Sequence, residues 1–176
     1  MREQADTTGV PTRTRTVTWA DPMIIAREAG KTSGLEFLGR MTSGELPRPP
    51  IAEVLGFSLV KVEKGFAVFE FEPAEFHYNP IGVVHGAMAG MLLDSTMGCS
   101  VQSTLPAGVG YTTLEFKVNM VRPVTLKTGL MRAEGRVIHV GTRVATAEGK
   151  LIDAAGKIYA HATTTCLIFP MSGERS

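Results

Sequence analysis

The sequence predicts an α+β domain in which a curved antiparallel sheet of about six strands wraps around one long central helix, with short helices at its N-terminal side. Three observations predict it. From Val84 to Ser103 the chain is rich in Ala, Met and Leu, holds no proline, Lys or Arg, and is apolar or small almost all the way round. Such a stretch is a helix meant for burial on every side, roughly 30 Å long at about 1.5 Å per residue. A hairpin of strand-like runs precedes it, and further strand-like runs follow it, expected as an antiparallel meander. One helix cannot cover a flat sheet of that width, whereas a curved sheet can enclose it and leave a face or edge open to a partner.

The elements follow in order. Asp21-Pro22 starts a helix, an N-cap acceptor followed by proline at the first helical position, with Met23, Ile24, Ile25 and Ala29 apolar and Gly30 as its interruption. Ser33-Gly34 restarts a short helix through Leu35, Phe37, Leu38 and Met41, closed by Gly44. Glu45 to Pro50 is an extended connector, because proline disfavours helix in the residue before it. Ile51 to Leu55 is one helical turn ended by Gly56. Phe57 to Val62 and Phe66 to Phe71 form a hairpin about Glu63-Lys64-Gly65. Pro73 to Gly82 is a loop, and Pro106-Ala107-Gly108 ends the long helix. The later strands are Tyr111 to Pro123, Gly129 to Val140, Arg143 to Ile152 and Lys157 to Phe169. Leu114, Phe116, Val118 and Met120 alternate with Glu115, Lys117 and Asn119 at the strand period of two. The expected division is a flexible tail over 1–18, a helical segment and connector over 19–56, the main domain over 57–170 and a tail over 171–176.

A chain of 176 residues fits one domain with a sizeable core. A net charge of +1 supplies no basic field for nucleic acid, although a single anionic small molecule needs only a few local cations. Cys99 and Cys166 stand in apolar or small-residue runs, as buried thiols in a reducing compartment do. Neither has the paired spacing of a metal site, so no metal is expected. No run reaches the roughly 18 apolar residues of a membrane span, and the polar N-terminus has no signal-peptide pattern. The expected location is the cytoplasm.

The chemistry concentrates between Asn79 and Asp94. Asp94 is the only acidic residue of the long helix, and a carboxylate on so apolar a segment is normally paired or functional. Partly desolvated, it is a good general base or nucleophile. His85-Gly86 stands at the helix start, where first-turn amides lack partners and carry the positive end of the dipole. Gly86 has no side chain, so a carbonyl could approach its N–H as at an oxyanion hole. For His85 a hydrogen-bonding role is as natural as a catalytic one. Gly86 and Asp94 are eight residues apart, about 12 Å along a helix and about 80° apart in direction. If both serve one site, that site is built from two copies of the chain.

The pattern Asn79-x-x-Gly82-x-x-His85-Gly86, followed nine residues after the His by Asp94, resembles the hotdog-fold acyl-CoA thioesterases of the PaaI-like group. The resemblance covers about residues 45 to 170, with the Arg122-Pro123 strand ending and the Gly141-x-Arg143 turn. It implies hydrolysis of an aryl or medium-chain acyl-CoA to the free acid and CoA. Gly86 N–H and the Asn79 amide would polarise the thioester carbonyl, and Asp94 of the opposite subunit would activate water or attack directly. The family's strand hydroxyl that helps hold the water matches Thr113, with Thr112 as rival. Ala87 stands where the family often has a second glycine, and its methyl would narrow the acyl end of the pocket. Arg122, Gly141 and Arg143, with His139, would face the CoA part. Met88, Met91 and Met97 would line an adaptable acyl tunnel. The implied assembly is a homodimer, or a dimer of dimers, with no cofactor beyond the CoA of the substrate. Two other readings stay open. One is a silent acyl-CoA-binding module, which would need no buried base. The other is a hydratase, whose His and acidic pair is not found here.

Overall fold

A computed structural model describes residue 9 and residues 11–171. Half of the tail expected over 1–18 and nearly all of that expected from 171 therefore lie outside the described residues.

The three short helices form where their caps predict. Helix α1 (Pro22–Glu28) is capped by the Asp21 carboxylate, which accepts from the Met23 amide at 2.9 Å. Helix α2 (Gly34–Thr42) is capped by the Ser33 hydroxyl, accepting from the Glu36 amide at 3.3 Å. Helix α3 (Pro50–Leu55) ends at Gly56, whose φ of 70° is the left-handed stop that glycine adopts without strain. Arg40 ties this segment together, pairing with Glu28 at 3.0 Å and Glu45 at 2.7 Å.

Strands β1 (Phe57–Glu63) and β2 (Phe66–Phe71) are the expected hairpin. The long helix α4 runs Ala87–Gln102, followed by β3 (Val109–Met120), β4 (Met131–Val140), β5 (Val144–Asp153) and β6 (Ile158–Pro170). They make one antiparallel sheet in the order β1-β2-β4-β5-β6-β3. Helix α4 touches all six strands. Six strands at about 4.8 Å spacing are wider than one helix, so the sheet must curl around it. Strand β3 is left as an open edge.

The floor beneath the helix is made of small residues. Gly135 and Gly149 face each other across β4 and β5, and Ala133, Ala145, Ala147, Ala160 and Ala162 are buried near them. A Cβ at Gly135 would stand 2.7 Å from the Thr96 carbonyl oxygen, so helix and sheet meet there backbone to backbone. The polar groups of α4 are satisfied along the helix: Thr96 Oγ1 donates to the Leu92 carbonyl and Ser100 Oγ to the Thr96 carbonyl at 2.8 Å.

Boundaries moved where tertiary bonds claim the backbone. Helix α4 starts at Ala87 rather than Val84, because the Val84 amide donates to Val124 and the His85 amide to His77. Strand β3 ends at Met120 rather than Pro123, because the Val121 and Arg122 amides both turn to the Tyr159 carbonyl. Two 3-10 turns, Glu75–His77 and Leu126–Thr128, were not expected.

Replacing Gly135 by Ala should cost about 1–3 kcal/mol, the usual range for overpacking. Gly39→Ala, in α2 where nothing lies within 4 Å of the new methyl, should instead stabilise by up to about 1 kcal/mol. Urea unfolding midpoints of the two variants check both signs.

Candidate active site

The loop before α4 is built around a buried histidine. His77 is 5% exposed and packs against Phe71 and Phe76, with ring centroids at 4.8 and 4.1 Å. Its Nδ1 accepts from the Ala74 amide at 2.9 Å, which leaves Nε2–H to donate to the Leu55 carbonyl at 2.9 Å. Asn79 then makes a side-chain turn: its Oδ1 accepts from the Ile81 amide at 3.1 Å and the Val83 amide at 3.3 Å. Gly82, at φ 80°, closes that turn. The Asn79 Oδ1 is thus spent on the loop, and its Nδ2 donates to no described residue.

At the helix start the His85 Nδ1 accepts from the Ala87 amide at 3.0 Å. This caps the first turn with the exposed imidazole ring, a structural task for His85. The Gly86 amide has no hydrogen-bond partner among the described residues. A cavity of about 360 Å³ opens there, lined among others by Asn79, His85, Gly86, Met120, Arg122 and Tyr159. Met120 is a neighbour that sequence reasoning did not assign: a Cβ on Gly86 would meet its Sδ at 2.5 Å. Ala87 is exposed and does not line this cavity. The Arg122 guanidinium donates to the Ile158 carbonyl.

Asp94 and Thr113 lie elsewhere. Asp94 is half-buried, and its Oδ1 accepts from the Thr113 hydroxyl at 2.9 Å. Thr112 is exposed on the other side of the strand. Burial pushes the nearby Cys99 thiol up to about 12, and the Asp94 charge pushes the same way. Burial likewise raises the Tyr111 phenol well above its ordinary value, with Cys99, Cys166 and Asp94 adding to it. Gly141 and Arg143 lie between β4 and β5, at the level where Val144 pairs with Leu167 and Leu167 with Thr112. Arg143 and His139 are exposed. Of the three methionines, Met88 lines the Gly86 cavity, whereas Met97 is fully buried in the core and Met91 lines no cavity described here.

The anticipated residues therefore fall into two groups at opposite ends of β3. Asn79, His85, Gly86 and Arg122 gather beside Met120, with Gly82 in the Asn79 turn but outside the cavity lining; Asp94, Gly141 and Arg143 gather nearer Thr113. Thr113 and Met120 are about 23 Å apart at about 3.3 Å per strand residue. Within one chain the carboxylate and the free amide cannot reach one carbonyl. Among the described residues, no three His, Cys, Asp or Glu side chains converge to hold a metal ion, and no helix is long and apolar enough to cross a membrane.

The chain is similar to known proteins in sequence and in fold. Residues 81–160 match the thioesterase superfamily. The 1,4-dihydroxy-2-naphthoyl-CoA hydrolase of Listeria monocytogenes is 27% identical over 108 residues, which span 61% of this chain and 86% of that one. The crystal structure of a phenylacetic acid degradation-related protein of Ralstonia eutropha is 33% identical, with a TM-score of 0.66 over 73% of this chain and 97% of that one. The PaaI protein of the E. coli phenylacetic acid degradation operon shares the fold, at 18% identity and a TM-score of 0.68 over 80% of this chain and 98% of that one.

The buried His77 generates a pH dependence. Burial, aided by the Arg15 charge, holds its imidazole below the ordinary 6.5. As pH falls below that value the unfolded chain takes up the proton first, so this contribution is present above about pH 6.5 and lost on acidification toward the folded value. The urea midpoint should fall between about pH 7.5 and about pH 5.5, and less steeply in His77→Gln.

Proposed function

The chain belongs to the thioesterase superfamily, as a thioester hydrolase of the PaaI-like hotdog group, and from that premise we propose that it hydrolyses an acyl-CoA to the free acid and CoA at sites shared between two subunits. The observation that carries the proposal is the separation just described. The free Gly86 amide and the Asp94–Thr113 pair sit at opposite ends of the same open edge strand.

Strand β3 is long, free of proline, and exposes Leu114, Phe116 and Met120 at 57%, 41% and 55%. Such an edge is a template for pairing with a second strand. An antiparallel pairing of two β3 strands about a two-fold axis near Phe116 sets the Met120 end of one beside the Thr113 end of the other. Gly86 of one subunit then faces Asp94 of its partner, and two identical sites result.

The reaction follows from the groups so assembled. The Gly86 N–H and the Asn79 Nδ2 donate to the thioester carbonyl oxygen and hold the charge that develops on it. The Thr113 hydroxyl fixes Asp94 Oδ1, which leaves Oδ2 to take a proton from water as its oxygen attacks the carbonyl carbon. The tetrahedral oxyanion collapses, the C–S bond breaks, and the CoA sulfur takes the proton back from Asp94. Water is the only co-reactant in this sequence of steps. Arg122 on one side, with Gly141 and Arg143 on the other, are assigned to the CoA part. Both cysteines are free, in keeping with a cytoplasmic location.

Release of CoA from aromatic and aliphatic acyl-CoAs tests the proposal. Asp94→Asn keeps the size but removes the base and should lower kcat by at least about 100-fold. Thr113→Val, which leaves the carboxylate in place, should cost less. Tight binding without turnover by both wild type and Asp94→Asn would replace the hydrolase by an acyl-CoA-binding module.

A further inference from the structure

Beneath the N-terminal helices lies a second, larger chamber of about 900 Å³. Phe37, Leu38, Met41 and Leu46 supply its outer wall, and Phe57, Leu59 and Phe69 of the hairpin supply its base. These residues all precede the stretch 81–160 that matches the family. The chamber is therefore built on the N-terminal side of the family-matching stretch and is distinct from the cavity at Gly86.

Its remaining wall leads to the carboxylate. Ser95 is the next residue after Asp94, and Cys99 and Gln102 follow on the same half-buried stripe of α4. Tyr111 lies two residues before Thr113 on β3, on the same face of that strand until the bulge between Thr113 and Glu115. The Asp94 charge acts on both Cys99 and Tyr111, which places them within its field. Asp94 and Thr113 do not themselves line the chamber, but each stands beside a residue that does, Ser95 on α4 and Tyr111 on β3.

Size and lining select the ligand. An apolar cavity of about 150 Å³ already holds a benzene ring, so a single aromatic acyl group would leave most of this space unfilled. The walls are mainly aliphatic and aromatic, and the rim charges Arg48 and Glu53 pair with each other at 3.5 Å. The Arg48 guanidinium also donates to the Phe57 carbonyl at 2.6 Å, so it is held by the protein.

We propose that this chamber is the acyl site and takes an unbranched aliphatic chain of medium to long length, entering past Ser95 and Cys99 toward Phe37 and Leu46. The proposal rests on the hydrolytic reading of Asp94. Residues Thr18 to Ala20 edge the chamber. They are tethered by Arg15, whose guanidinium donates to the Val54 and Glu53 carbonyls and lies 4.0 Å over the Phe76 ring. Trp19, the one tryptophan of the sequence, is therefore a built-in reporter at the chamber.

Kinetics of the wild type and one variant, and ligand titration of the wild type, test the assignment. Across butanoyl- to dodecanoyl-CoA, kcat/KM should rise by up to about 4-fold per added methylene until the chamber is filled. Phenylacetyl-CoA should turn over more slowly than dodecanoyl-CoA, and Met41→Trp, which fills part of the outer wall, should shift the optimum to shorter chains. Separately, titration with dodecanoate should give a saturable blue shift of Trp19 emission that phenylacetate does not give. A flat or falling chain-length profile, or no Trp19 response to dodecanoate, overturns the chamber assignment while leaving hydrolysis of other acyl-CoAs intact. A saturable Trp19 shift with no turnover of any acyl-CoA would overturn the hydrolytic reading and with it the acyl site of an enzyme, leaving an aliphatic-chain binder.

Discussion

The rest of the structure depends on how closely α4 approaches the sheet. Where Gly135 meets the Thr96 carbonyl there is no room for a methyl, and the neighbouring floor of alanines and Gly149 keeps the whole contact shallow. A helix seated this deeply must be small and apolar around its circumference, which is the composition that α4 has. It also forces the strands to curl, since all six touch it. One consequence is energetic: Leu92, Leu93, Met97 and Val101 are fully buried, each worth about 1.5–3 kcal/mol of burial. The other is functional. With the rest of α4 enclosed, the stripe carrying Met91, Asp94, Ser95 and Cys99 is the face left partly open, and a carboxylate on it is held at the border between core and solvent.

The same geometry divides the site. The first-turn amide of Gly86 and the carboxylate of Asp94 ride on one rigid helix, so their separation cannot be closed by loop movement. Strand β3 repeats the separation, with Met120 against Gly86 at one end and Thr113 bonded to Asp94 at the other. A two-fold axis across that strand brings the ends together without deforming either subunit. On this view the open edge of the sheet and the incomplete site have one remedy, which is the partner subunit.

Much of this was legible in the sequence where local chemistry decides. Asp21-Pro22, Ser33 and Gly56 marked helix ends because caps act within a few residues, and the hairpin at Gly65 was set by its turn. Asn79, Gly86 and Asp94 stood out because each is an unusual residue type for its place. The expected meander holds only from β4 to β6: β2 pairs with β4 across the intervening α4 and β3, and β3 pairs with β6 across β4 and β5, pairings between distant segments that local pattern does not reveal. Alternation along β3 misled as well. A bulge between Thr113 and Glu115 shifts the faces, so Leu114 turns out to solvent, whereas Phe116, half-open at the sheet edge, stays on the α4 side beside Gly90. Met120 beside Gly86 and the chamber under α2 arise from contacts between distant segments, which no spacing reveals.

The shared site is tested most directly by mixing two inactive variants. Asp94→Asn removes the base, while Asn79→Asp keeps the Oδ1 acceptor that shapes the loop and removes the Nδ2 donor. In a mixed dimer one site carries both lesions and the other carries neither. Random exchange of equal amounts should then restore about a quarter of the wild-type activity, as expected when half the dimers are mixed and each has one intact site. Mixed dimers that form, verified by differently tagged subunits, yet remain as inactive as the parents would contradict a site completed across the subunit interface.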